Sequence, residues 1–214
     1  MLVIVTRTAT IVCLLSLAPA VSAIASERSI LILAPVGTDD RLGPADQALR
    51  FWNETLSDLD VDMRLASPRV VVASPAARAL ENYARQVVTR AVGLPAGDAE
   101  PDAPSALTRL DADIVVLLSR QDITSFTWPM PRIDPPRYFV IVRFVRGPDR
   151  NDPMVTRHVV AHELGHALGL LHNDDPHALM CGPCQPLTTE TDDRGFLPLT
   201  DVERARLVDL YGTT

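Results

Sequence analysis

Apolar residues follow two rhythms along this chain. Residues 29–36 (SILILAPV), 113–119 (DIVVLLS) and 138–145 (YFVIVRFV) are short, nearly continuous apolar runs, and residues 61–72 form a further one interrupted near Ser67-Pro68. Runs of this length bounded by Gly, Pro or Asp predict buried strands. From Pro44 onward, Ala45, Ala48, Leu49, Trp52, Leu56 and Leu59 recur at helical spacing among polar residues, which predicts an amphipathic helix packed on a sheet. Ser74-Pro75 offers an N-cap followed by proline at the first helical position, so a second helix should run to about Arg90 and close at Gly93. Residues 94–108, rich in Pro, Ala, Gly and acids, read as a surface loop. The stretch containing TWPMPRIDPP is too proline-rich for a central strand and reads as an exposed loop, with room for a short edge strand near Ile123 to Phe126.

The N-terminus has a different pattern. Arg7 precedes an apolar run over residues 9–20 and the small-residue ending Val21-Ser22-Ala23, the layout of a secretory signal peptide cleaved near Ala23 or Ala25. That run is far shorter than the roughly 20 residues a spanning helix needs, so no membrane span is expected after cleavage. The expected organisation is a signal peptide at 1–23 and one catalytic domain at 24–214, secreted or periplasmic. The first strand lies almost at the expected mature N-terminus, so no prodomain is expected.

Composition narrows the picture. A chain of 214 residues, 47% hydrophobic and 22% charged, supports one globular core, with a monomer as the default. The net charge is −7 and the basic residues are scattered arginines, so no footprint for nucleic acid is present in the sequence. Signal cleavage removes Cys13 and leaves Cys181 and Cys184 in an oxidising compartment, where they should form a disulfide. Cys-Gly-Pro-Cys also has the spacing of a dithiol redox site. That chemistry needs a helix after the first cysteine, and QPLTTETDD has no helical pattern.

All 5 histidines fall within HVVAHELGHALGLLHNDDPH. Asp152-Pro153 supplies an N-cap and a first-turn proline for a helix running to about Leu168. His162 and His166 then stand one turn apart on one face, a spacing that grips a single Zn²⁺. One helix supplies only two such ligands, and Gly169 provides the bend that returns His172 as the third. Three protein ligands leave the fourth position open, as in a catalytic zinc site. Glu163, beside the first ligand, is the candidate general base. His158 lies one turn earlier and about 40° around the helix; it either faces substrate or, more commonly for such a residue, packs at the first turn. His177 is similarly open, Asp174 and Asp175 either orient the ligand loop or are solvated, and the acidic loop around Asp149 and Asp152 is a weak candidate for Ca²⁺.

HELGHALGLLH followed by Met180 in HALMCGP resembles the metzincin metallopeptidases, whose pattern is H-E-x-x-H-x-x-G-x-x-H and then a methionine-bearing turn. Within that clan it is most similar to the matrixins, and LTDVERARLVDLYG is similar to the last helix of their catalytic domains. The resemblance implies an α+β, zincin-like catalytic domain, with a twisted, mostly parallel sheet, an active-site helix and a C-terminal helix. It also implies a protein or peptide substrate lying along an edge strand, Met180 as an apolar floor beneath the histidines, and one catalytic zinc ion. The pocket wall is expected from residues 181–198. Three departures stand out. Cys181-Gly182-Pro183-Cys184 replaces the usual aromatic-proline continuation, no histidine remains for a second zinc site, and the helix near 75–90 looks inserted. Two other functions fit the same motif: a zinc hydrolase of non-peptide amides or esters, and a non-catalytic zinc-containing binding module, against which the intact Glu163 argues.

Overall fold

In the computed structural model, residues 26–93, 101–130, 136–146, 151–187 and 195–212 are described. The signal-like segment 1–23 lies outside them. Strands β1 (Ser26–Arg28) and β2 (Ile30–Ala34) lead into helix α1 (Leu42–Asp58), then β3 (Met63–Leu65) and β4 (Arg69–Val72). Helix α2 (Ala77–Gly93), the short α3 (Ser105–Thr108), β5 (Ile114–Leu118), β6 (Phe126–Pro129) and β7 (Tyr138–Val142) follow. The chain closes with α4 (Pro153–Ala167) and α5 (Asp201–Tyr211).

The main sheet has the order β4-β2-β5-β7-β6 and is parallel except for β6, which runs antiparallel to β7 at one edge. β1 and β3 form a separate parallel pair, so the interruption at Ser67-Pro68 is where the chain passes from one sheet to the other. β2 and β5 are buried throughout, and their alternate side chains feed two cores. Ile30, Ile32, Ile114, Val116, Val140 and Val142 pack with α1 and α4 on one face. Leu31, Leu33, Val115, Leu117, Phe139 and Ile141 pack with Leu80, Tyr83, Ala84 and Val87 of α2 on the other. Burial on both faces explains why these strands read as continuous apolar runs rather than alternating ones. Helix α2 therefore packs on this second face, together with Leu107, Ile123 and Met130 from the connecting segments.

Two expectations need correction. Residues 94–108 are not all loop, because α3 forms at Ser105–Thr108 and buries Leu107. The edge strand lies at Phe126–Pro129 rather than near Ile123 to Phe126, within the proline-rich stretch. Proline is tolerated there because an edge strand leaves one row of N–H groups unpaired and Pro129 is its last residue. Arg41 holds the strand ends nearby. It is fully buried, paired with Asp39 at 2.8 Å, and donates to the carbonyls of Ser119, Val142 and Arg143 at the ends of β5 and β7. Sequence reading did not single it out.

Candidate active site

Helix α4 begins where two short polar side chains fix the chain. Asn151 takes a left-handed φ of 44°, donates to Asp40 Oδ1 and accepts from the Val145 amide. Asp152 then caps the helix by accepting from the Val155 amide at 2.9 Å, with Pro153 at the first turn. The indole of Trp52 in α1 donates to the Ala161 carbonyl at 2.8 Å, pinning the middle of α4. The helix ends at Gly169, whose φ of +90° turns the chain; the Leu170 amide returns to the Gly165 carbonyl.

This turn brings the three motif histidines together. His172 Nε2 lies 3.1 Å from Nε2 of His162 and 3.1 Å from Nε2 of His166. His162 Nδ1 is 2.8 Å from the Leu179 carbonyl and His166 Nδ1 is 2.9 Å from the Leu170 carbonyl. A carbonyl can only accept, so both Nδ1 atoms carry the hydrogen and both Nε2 atoms present lone pairs to the shared point. Burial lowers His162 to about 4, opposed by its bond to Leu179 and aided by the neighbouring histidines. Burial lowers His166 as well. Neutral lone pairs converging without a proton between them suit a cation. Tetrahedral zinc with bonds of 2.0 to 2.1 Å would hold such nitrogens about 3.3 Å apart. Among the described residues, these three form the one cluster of histidine, cysteine or acid able to hold a metal.

Glu163 is 6% exposed, and burial pushes its carboxyl up to about 7 against a hydrogen bond from Thr127 that favours the ionised form. It lines the same cleft as His162 and His172, about 610 Å³, whose apolar wall includes Val155, Val159, Leu179, Pro183, Leu187 and Leu197. Several of these fall in the segment 181–198. Met180 is fully buried beneath α4, and a Cβ on Gly165 would stand 2.5 Å from its sulfur. Its carbonyl accepts from the Asn173 amide, so the methionine turn and the His172 loop are stitched together.

Cys181 and Cys184 are bonded to each other, their Cα atoms 4.9 Å apart, and no helix forms over residues 181–187. Gly182 inside this loop packs so closely on His172 that a Cβ would meet the ring Cγ at 2.9 Å. His158 is buried, with its ring nitrogens on the Met154 carbonyl and the Leu197 amide and its face near Phe196, so it is packed in place while also lining the cleft. His177 is exposed and stands outside the metal cluster, while Asp175 accepts the His177 amide within the ligand loop. Asp152 is engaged as a cap, and Asp149 lies outside the described residues. Thr127 was not singled out in sequence, and Gly165 and Gly182 were read only as parts of HELGH and Cys-Gly-Pro-Cys, since the packing roles of a threonine or glycine carry no signal of their own.

A parallel sheet with a histidine-bearing helix beneath it and a carboxylate in the cleft defines a metal-dependent hydrolase. Residues 88–212, more than half of the chain, match the matrixin family of peptidases, and the chain belongs to that family. It is a zinc metalloendopeptidase of the metzincin type. Among solved structures it is similar to archaemetzincin from Methanopyrus kandleri, with 19% identity, a TM-score of 0.44, and coverage of 88% of this chain and 98% of that one. No curated relative matches.

Proposed function

We propose that His162, His166 and His172 hold one catalytic zinc ion and that Glu163 is the general base for peptide-bond hydrolysis by a secreted or periplasmic enzyme. The observation that supports the ligand set is that His172 Nε2 lies 3.1 Å from Nε2 of both His162 and His166, the latter two with their tautomers fixed by carbonyls. Zinc bound there supplies a Lewis acid that lowers the pKa of water to about 7 and polarises the scissile carbonyl. Glu163 accepts the proton of the attacking water and passes it to the leaving amine. Burial raises this carboxyl in the metal-free site, and a cation held by the neighbouring histidines would favour the ionised form that acts as the base.

Substrate lies extended along β6, whose unpaired edge offers main-chain hydrogen bonds, while one side chain enters the apolar wall formed by Leu179, Pro183 and Leu197. The signal-like residues 1–23 and the paired Cys181 and Cys184 support an extracytoplasmic location. No helix among the described residues is long and apolar enough to cross a membrane. Non-reducing peptide mapping of protein recovered from the producing cells tests both points: a mature N-terminus near Ala23 and a linked Cys181–Cys184 peptide are expected, and an uncut N-terminus with free thiols would overturn them.

The central test is Glu163→Gln, which keeps side-chain size and removes the base. Zinc content should equal that of the parent while peptide cleavage falls by about 10²- to 10⁴-fold. Parent-like turnover with zinc in place would mean that the base lies elsewhere.

A further inference from the structure

We infer that Thr127 is a positioning residue that sets the orientation of the Glu163 carboxylate, an inference that rests on Glu163 being the base. Along β6, Phe126 and Trp128 pack with the α2 side of the sheet, and Thr127 between them points to the opposite side, toward α4. Its register is set by pairing with the fully buried Val140 of β7. From there Thr127 Oγ1 lies 2.9 Å from Glu163 Oε2 and 2.7 Å from the Glu163 main-chain carbonyl.

A threonine hydroxyl has one hydrogen and two lone pairs. It can donate to Oε2 when that oxygen is bare. When Oε2 carries a hydrogen, the hydroxyl can accept it and turn its own hydrogen to the carbonyl. Either arrangement ties Oε2 to the strand and leaves Oε1 as the oxygen free to meet water in the cleft. No other side-chain bond to the Glu163 carboxylate is present among the described residues. The hydroxyl therefore converts a carboxylate with free terminal rotation into one with a fixed working oxygen. Because Thr127 belongs to the edge strand proposed to carry substrate, one residue also links the substrate's main-chain register to the position of the base.

Valine matches the shape of threonine, suits a strand and lacks the hydroxyl; serine keeps the hydroxyl and loses the methyl. Thr127→Val should lower kcat by about 10- to 100-fold, with KM within about twofold, unchanged zinc stoichiometry and a melting temperature lower by only a few degrees. Thr127→Ser should keep kcat within about threefold of the parent. A crystal structure of zinc-free Thr127→Val should show the Glu163 carboxylate rotated away from its present place. Parent-like kcat in Thr127→Val, an equal fall in Thr127→Ser, or an unmoved Oε2 in the valine variant would each overturn the inference. If Glu163→Gln is inactive while Thr127→Val is fully active, only the role of Thr127 falls. If Glu163→Gln is active, the base assignment falls with it.

Discussion

Replacing Gly165 by alanine adds one methyl group where the active-site helix meets its support. The new Cβ would stand 2.5 Å from Met180 Sδ, 3.0 Å from Met180 Cε and 3.0 Å from Trp52 Cζ2. Favourable carbon contacts lie at about 3.5 to 4.0 Å, so the neighbours must give by about an ångström. Neither can leave: Met180 and Trp52 are both fully buried, and the indole is tied to the Ala161 carbonyl. Overpacking of this kind costs about 1 to 3 kcal/mol, and a 2.5 Å contact belongs in the upper half of that range. Against it, alanine in a helix is favoured over glycine by about 1 kcal/mol. The steric effect wins, leaving a net loss of about 1 to 2 kcal/mol, or about 2 to 8 °C in melting temperature for a domain of this size. A shift of Met180 also moves Leu179, whose carbonyl orients His162, and the strand-like pairing with Asn173 next to His172. Cleavage should therefore fall by at least about tenfold. Thermal unfolding and peptide turnover measure the two effects. Gly43→Ala in α1 is the control: a Cβ there meets nothing within 4 Å, so the variant should be neutral or stabilised. A Gly165→Ala protein as stable and active as the parent would refute the reasoning.

Protein stripped of zinc should show two opposing pH effects. Glu163, raised to about 7, contributes stability that is complete below its ordinary value and is lost as pH rises toward 7, about 3 kcal/mol in all. His162, lowered to about 4, contributes stability present above its ordinary value of 6.5 and lost as pH falls toward 4. Urea unfolding isolates the first effect: the free energy of the parent minus that of Glu163→Gln should fall by about 3 kcal/mol between pH 4.5 and 7, and a pH-independent difference would contradict it. Gly182→Ala, with its Cβ 2.9 to 3.1 Å from three atoms of His172, should weaken zinc retention against a chelator by at least about tenfold, and parent-like retention would rule out a steric role for this loop.

Legibility in the sequence tracked chemical rarity and local periodicity. The ligand helix was readable because its signals are local: an Asp-Pro start, two histidines four apart, and a glycine where the chain must turn. The strands were readable because burial on both faces leaves an unbroken apolar run, as in IVVLL of β5. β6 was displaced in the reading because TWP holds no alternating pattern, and its identity as a strand comes from pairing with β7. Likewise the role of α2 depends on a sheet face assembled from β2, β5 and β7, strands drawn from distant parts of the chain.

The same logic accounts for which parts of the site stayed hidden. A zinc ligand must be a histidine, cysteine or carboxylate, so its identity announces its chemistry. The groups that hold those ligands in place act through what they permit or complete. Gly165 and Gly182 matter for the missing Cβ, and Thr127 for one hydroxyl aimed at a residue 36 positions away. None of these roles is encoded by residue type alone, since each exists only once a second segment has packed against it. A site whose clustered histidines are legible from sequence and whose supports are legible only from structure has a testable asymmetry. Substitutions at His162, His166 or His172 should abolish metal binding outright, whereas those at Thr127, Gly165 and Gly182 should leave a folded protein whose zinc or carboxylate is misplaced, with graded rather than complete loss of turnover.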